Sequence, residues 1–356
     1  MTAVVLVAGL AIALLATIRI SASGEGSSTA DLAGLSDRVA GGSSSSGTPS
    51  ATTEAGSEAG SGATPAVADE PEPVKRKRLV PAQKVLKATT LKPKPPEVIE
   101  QERVERIAAR AAEAGPFDVA IGSFNVLGSQ HTAPGGDRRR YPPASVRSPA
   151  AASLILAHGV DVVGTQELQA DQLAAVQSRT GMAAYPGTAW GSAETDNSIL
   201  YDSGRFEMVS GRSFTLPFMG RPRPQPILRL RERQTGREFY VVNSHLSAGG
   251  GRYLTERRQG QATLVSIMRE LRASGLPVLL TGDMNDREEF YCRVVSPAAL
   301  LASNGGGAGC APPPSPIPVD WVVGSGVTWS AYRRDTSPVT RRISDHYFIS
   351  ATAHVA

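Results

Sequence analysis

Cysteine is almost missing from this 356-residue chain, which holds only Cys292 and Cys310. No Cys-x-x-Cys pair exists, so a zinc ribbon and a thioredoxin-type redox motif are excluded. Aromatic residues are also scarce, 5% of the whole, and Trp190, Trp321 and Trp329 lie scattered rather than gathered in one loop. An aromatic-rich loop for lipid insertion is therefore absent, and the three indoles are expected in the core. Neither sign of charge dominates, since the formal net charge is only +4. That balance suits a polyanionic substrate or an anionic surface weakly, because much of the excess sits in tails.

A long apolar run occurs at the N-terminus, where Met1 to Ile18 carry no charge and Arg19 ends the stretch. A bilayer is spanned by roughly 20 apolar residues, so 1–20 reads as a transmembrane anchor. A cleaved signal sequence is the alternative, favoured by the small residues that follow. Either exports the chain, as a single-pass membrane protein or a secreted one. Residues 21–96 are rich in Ser, Gly and Pro and then in Lys, with a basic cluster at Lys75 to Arg78. Such a segment cannot bury enough apolar surface to offset its ordering entropy, which predicts a disordered tether. Over 97–116, Val98, Val104 and Ile107 recur at helical spacing among charges before Gly115-Pro116, which predicts a short lead-in helix.

Chemistry is expected in 117–356. There, short β-type runs alternate with helical ones, while a "QTGRE" turn and its flanks read as a hairpin. Mixed rather than purely parallel sheets follow. The predicted class is α/β (α+β): a four-layer sandwich of two packed mixed β-sheets flanked by helices. Residues 128–149 read as a long polar loop whose Arg138, Arg139 and Arg140 are either solvated or in reach of a phosphate chain.

The polar residues at the ends of these runs share one chemical character: Asn125, Glu167, Asn197, His245, Asp283, Asn285, Asp320, Asp345 and His346. Each alone has a structural reading, and the Gly-Asp-x-Asn of "GDMND" is good turn chemistry. Together they make an oxygen-rich, histidine-assisted set without thiols, which suits Mg²⁺ or Mn²⁺ better than zinc. A carboxylate in such a site activates water, and a divalent ion polarises a phosphoryl oxygen.

The ordered series "FNVL", "TQEL", "NSILY", "NSHL", "GDMND", "VDWVV", "SDHYFI" resembles the endonuclease/exonuclease/phosphatase superfamily over Phe117 to Ala356. That group includes pancreatic-type deoxyribonucleases, abasic-site endonucleases, sphingomyelinases and inositol-polyphosphate phosphatases. The resemblance implies that Glu167, Asn125 and Asp345 hold the metal and that Asp283 orients or deprotonates water. It implies that Asn285, His245 and Asn197 bind the scissile phosphate. His346, polarised by Asp320, would contact the phosphate or move a proton, its cationic form favoured by the carboxylate. Val126, Leu127 and Gly128 stand where abasic-site enzymes carry a further acid, which argues against a dedicated repair enzyme. Tyr347-Phe348 replaces a proline found in many relatives. The Gly/Pro-rich loop before Asp320 resembles exported actinobacterial-type members. In an exported domain, Cys292 and Cys310 most simply form a disulfide, worth roughly 3 kcal/mol, against the alternative of two buried thiols.

The expected function is an extracytoplasmic metal-dependent nuclease acting as a monomer, with nucleic acid or another phosphodiester as its partner. A phospholipid phosphodiesterase or phosphomonoesterase on the same scaffold is the alternative. A non-catalytic surface binding protein is a third reading.

Overall fold

The computed structural model describes residues 93–113 and 115–356. The expected anchor at 1–20 and nearly all of the expected tether lie outside the described residues. Among the described residues, no helix is long and apolar enough to cross a membrane. The lead-in helix α1 runs Pro96–Glu113, its proline at the start where a missing N–H costs no bond.

Twelve strands follow: β1 Phe117–Asn125, β2 Val162–Gln166, β3 Ala183–Tyr185, β4 Ile199–Tyr201, β5 Phe206–Phe218, β6 Arg221–Glu232, β7 Glu238–His245, β8 Val278–Asp283, β9 Leu301–Ala302, β10 Asp320–Ser325, β11 Val327–Asp335 and β12 Phe348–Val355. They form two six-stranded sheets, ordered β11-β12-β1-β2-β4-β3 and β5-β6-β7-β8-β10-β9. Each is mixed, because β1 pairs parallel with β2 and β7 parallel with β8 while their other pairings are antiparallel. The longer helices are α2 Ala144–His158, α3 Ala170–Thr180 and α4 Arg252–Arg272.

Burial confirms the layers. Val119, Ile121 and Val162 of the first sheet pack with Leu228, Val241, Leu279 and Val322 of the second. Outside the first sheet, Leu154, Ile155, Leu173 and Val176 of α2 and α3 cover Phe124 and Phe348. Outside the second, Leu264, Met268 and Leu271 of α4 cover Val242, Val278 and Leu280. The sheet interface is not wholly apolar. Gly164 lies so close to Asn243 that an added Cβ would fall 2.5 Å from Asn243 Oδ1. Asn243 in turn donates to Thr165 O (2.6 Å) and Asn197 O (2.8 Å) and accepts from Gln166 Nε2 (2.7 Å). These bonds satisfy every polar group on the Asn243 amide inside the interface, which keeps its burial inexpensive.

One expectation from sequence requires correction. Residues 128–149 are not one loop: a short helix spans Ser129–Thr132, and α2 has begun by Ala144. Pro149 lies inside α2, past its first turn, where its missing N–H removes one intrahelical bond. The proline-rich "RPRPQP" is strand, the first half of β6. Pro222, Pro224 and Pro226 sit in the half of β6 that pairs with β5 alone, since the ladder to β7 starts only at Ile227. Proline cannot donate on that open edge, so the ladder stops there.

Candidate functional site

The site forms where the strands of both sheets end. In the second sheet, register places His245 of β7 beside Asp283 of β8, and Asp283 beside Asp320 of β10. Three functional side chains thus stand on one row of hydrogen-bonded backbone, each at the end of a buried strand. In the first sheet, Asn125 ends β1 opposite Gln166, and Glu167 follows directly with φ +60. Asn285, just past β8, also has positive φ, +46. Both side chains are therefore aimed by backbone conformations that the surrounding structure must hold.

Three nitrogens converge on a single oxygen, Oδ2 of Asp283: Asn125 Nδ2 at 3.1 Å, His245 Nε2 at 3.4 Å and His346 Nε2 at 3.5 Å. The other oxygen accepts from the Asn285 N–H (2.9 Å). Burial opposes ionisation of Asp283, but the charge of His346 and the contacts with His245 outweigh it and lower its pKa. Across the row, His346 Nδ1 lies 2.9 Å and 3.1 Å from the two oxygens of Asp320. Burial opposes the imidazolium here as well, yet Asp320 and Asp283 together raise the His346 pKa well above its ordinary value.

Glu167 accepts from Asn125 Nδ2 (3.0 Å) and the Gly128 N–H (3.0 Å), and its Oε2 lies 3.2 Å from His131 Nε2. Burial would raise its pKa. The His131 bond, the His245 charge and the Asn125 bond reverse that and hold the carboxyl well below the usual range. His131 also touches Asp137 (2.7 Å), and its bond to Glu167 raises it to about 9 against the opposing effect of partial burial.

The structure brings most of the expected residues together. A cleft of about 600 Å³ is lined by Glu167, His245, Asp283, Asn285, Asp345 and His346. Asp320 lies behind His346. Asn125 lies beneath the cleft and presents its NH₂ to both carboxylates while its Oδ1 accepts from the Leu127 N–H (3.0 Å). In that orientation it positions Glu167 and Asp283 and offers no oxygen as a ligand. Asp345 lines the cleft but is engaged by Arg138 Nε (3.0 Å). Asn197 does not reach the cleft: it is buried, and its Nδ2 donates to Gln225 (3.1 Å). Cys292 and Cys310 are bonded as a disulfide.

Several functional residues are not apparent from sequence. Arg147, 2% exposed, donates to the carbonyls of Pro142, Val126, Leu127, Ile343 and Gly128. It ties the turn after Asn125 to the segment before Asp345. A single arginine on the otherwise small and apolar face of "ASVRSPAAASLIL" was the available signal. Gln225 Oε1 accepts from the His245 N–H (2.9 Å), beyond the point where the β6–β7 ladder ends at Ile227 and Val242. Arg223 reaches the cleft over the Phe218 ring, 4.4 Å from its centroid, paired with Asp196. Burial lowers its guanidinium to about 10.

The donor set fits a divalent ion. Glu167 and Asp283 are held ionised, the remaining donors are oxygens and imidazoles, and ligand atoms of Asp283, Asp320 and His346 lie within 4.8 Å of one another. Since His346 Nδ1 already belongs to Asp320, that trio serves better as a relay, leaving Glu167 as the residue to hold an ion beside Asp283.

Residues 122–346 match the endonuclease/exonuclease/phosphatase family. A comparison with curated proteins found no match. Among solved structures, an endonuclease/exonuclease/phosphatase family protein from Bacteroides thetaiotaomicron is 20% identical, with a TM-score of 0.52 over 68% of this chain and 100% of its own. Another from Bacteroides vulgatus is 17% identical, with a TM-score of 0.53 over 67% of this chain and 100% of its own. The human nocturnin catalytic domain, solved with a bound sulfate anion, is 18% identical, with a TM-score of 0.50 over 69% of this chain and 98% of its own. These likenesses concern the fold. With a match over more than half its length and the Asn125–Glu167–Asp283–His346 centre in place, the chain belongs to the endonuclease/exonuclease/phosphatase family of divalent-metal-dependent phosphoester hydrolases.

Proposed function

We propose that the protein is a phosphodiesterase that cleaves nucleic acid outside the cytoplasm. The convergence of Asn125, His245 and His346 on Asp283 Oδ2 carries this reading. It leaves one buried carboxylate, held ionised, facing a cleft whose walls include Arg138, Arg221 and Arg223. Arg138 and Arg223 are matched by Asp345 and Asp196, while Arg221 adds a guanidinium suited to a phosphate.

Asp283 orients the attacking water and accepts its proton as the new P–O bond forms. Its lowered proton affinity makes orientation the larger part of that contribution. His346, kept cationic by Asp320 and Asp283, donates a hydrogen bond to the phosphate and supplies the proton that the leaving oxygen takes up. Asn285 and His245 position the phosphate. A divalent ion, Mg²⁺ or Mn²⁺, held by Glu167 with Asp345 nearby, would polarise the phosphoryl oxygen. The Cys292–Cys310 disulfide supports an oxidising, extracytoplasmic location.

The test is a substrate panel of DNA, RNA, phospholipid and a phosphomonoester, with Mg²⁺ or Mn²⁺ and again with EDTA. Divalent-dependent cleavage of nucleic acid, lost in both Asp283→Ala and His346→Ala, is expected. Cleavage confined to phospholipid or monoester would overturn the substrate assignment. Full activity in both variants would overturn the site.

A further inference from the structure

A second cleft, of about 480 Å³, adjoins the first, and Asn285, Asp345 and His346 line both. Two arginines enter it from different sheets. Arg287 follows the turn after β8, and its Nε donates to Ile317 O (3.0 Å). Arg334 projects from β11; its Nη1 donates to Pro316 O (2.5 Å), and its guanidinium lies 5.9 Å from the Tyr347 ring centroid. Carbonyls of successive residues thus fix two guanidiniums in one cleft, each with most of its donors left over. The acids in the same wall are already matched, Asp320 by His346 and Asp345 by Arg138. Neither Arg287 nor Arg334 pairs with a carboxylate among the described residues. The wall between them is apolar and stiff, made by Pro316, Ile317, Pro318 and Val319.

A pair of unmatched, backbone-braced guanidiniums beside a phosphate-cleaving centre is suited to a second phosphate. We infer that the second cleft binds the phosphate neighbouring the scissile one in a nucleic-acid strand, so that the strand crosses His346 with phosphates in both clefts. This rests on the nuclease reading. It makes the preferred substrate an extended strand rather than a dinucleotide or a terminal phosphate.

The full chain is assayed on a dinucleotide and a decanucleotide for kcat/KM. Separately, non-cleavable phosphorothioate forms of the same lengths are tested as inhibitors of bis(4-nitrophenyl) phosphate hydrolysis. In the wild type, kcat/KM is expected to rise about 10-fold or more from the dinucleotide to the decanucleotide. In the double variant Arg287→Ala/Arg334→Ala, that gain should shrink to about 3-fold or less, and the salt slope on the decanucleotide should flatten by about 1. Arg287→Lys/Arg334→Lys, which preserves charge, should retain most of the slope. A double alanine variant that keeps the whole length gain and salt slope would overturn the inference. The two readings also fail differently. Length-dependent inhibition without cleavage removes the nuclease assignment and leaves the second anion site standing. Cleavage with no length gain retains the nuclease and removes the second site.

Discussion

The two sheets contribute to one centre by opposite means. The second sheet supplies His245, Asp283 and Asp320 as a row of neighbours within hydrogen-bonded strands, so their spacing follows from strand register. The first sheet supplies Glu167 and His346 from beyond its strand ends, Glu167 at positive φ and His346 in the turn before β12. Nothing in its ladder holds them. Their placement depends on side chains: Arg147 on the carbonyls of Val126, Leu127 and Ile343, and Ser344 Oγ donating to Asn125 O (2.6 Å). The row is rigid because backbone makes it, whereas the loops are rigid only while their buried donors last.

The largest effect should come from the row itself. Asp283→Asn is expected to lower kcat about 10³-fold or more in steady-state assays, with the unfolding midpoint nearly unchanged. A loss below about 10-fold would shift the weight of the reaction to the first sheet. Next comes the loop brace. Arg147→Met strips donors from several buried carbonyls and should cost about 2–4 kcal/mol in urea unfolding. It should also lower kcat, because Glu167 and His346 lose their frame. An active, stable variant would show that the loops hold themselves. Gln225→Leu removes the acceptor of the His245 N–H where the ladder from β6 has ended. The expected cost is about 1–2 kcal/mol, with kcat/KM reduced about 10-fold.

The smallest effect is one of pH. His131 is raised from 6.5 to about 9 by Glu167, so its folded value exceeds its unfolded one. Its stabilisation is complete below about pH 6.5 and lost as pH rises to about 9. Glu167 behaves oppositely: its lowered folded value stabilises above about pH 4.5 and is lost as pH falls further. In EDTA-treated protein, the thermal midpoint should therefore decline by about 1–3 °C between pH 6.5 and 9, since His131 is partly exposed and screened. His131→Gln should flatten that decline. An unchanged slope in the variant would place the effect on His346.

Much of the centre could be read from residues alone. His245 and Asp283 each close an apolar run and Asp320 opens one, and such a run both buries itself as a strand and presents the polar residue at its end. Glu167, just past β2, and His346, just before β12, were readable because each borders such a run. The roles of Asn125 and Asn197 were not, because an asparagine at a strand end can serve as ligand, phosphate donor or internal brace. Only packing showed that Asn125 bridges two carboxylates and that Asn197 binds Gln225. Arg147 and Gln225 act through partners far away in the chain, Ile343 and Asn197 among them, and such pairings leave no local pattern. Pro149 and the prolines of β6 lie inside regular elements for a related reason. A local rule forbids proline in a ladder or helix, but whether an N–H is needed depends on the neighbour that would accept it.

By itself the sequence determined most element types of the folded part, 128–149 excepted, the two mixed sheets and the chemical character of the site. Those follow from short-range periodicity and from which residue ends each buried run. Tertiary structure alone decided which atoms meet. It set three nitrogens on one oxygen of Asp283, neutralised Asp345 with Arg138, and left Arg287 and Arg334 unmatched in a second cleft. The reason is physical: burial and charge pairing are properties of neighbours brought together from both sheets, and no stretch of sequence contains them.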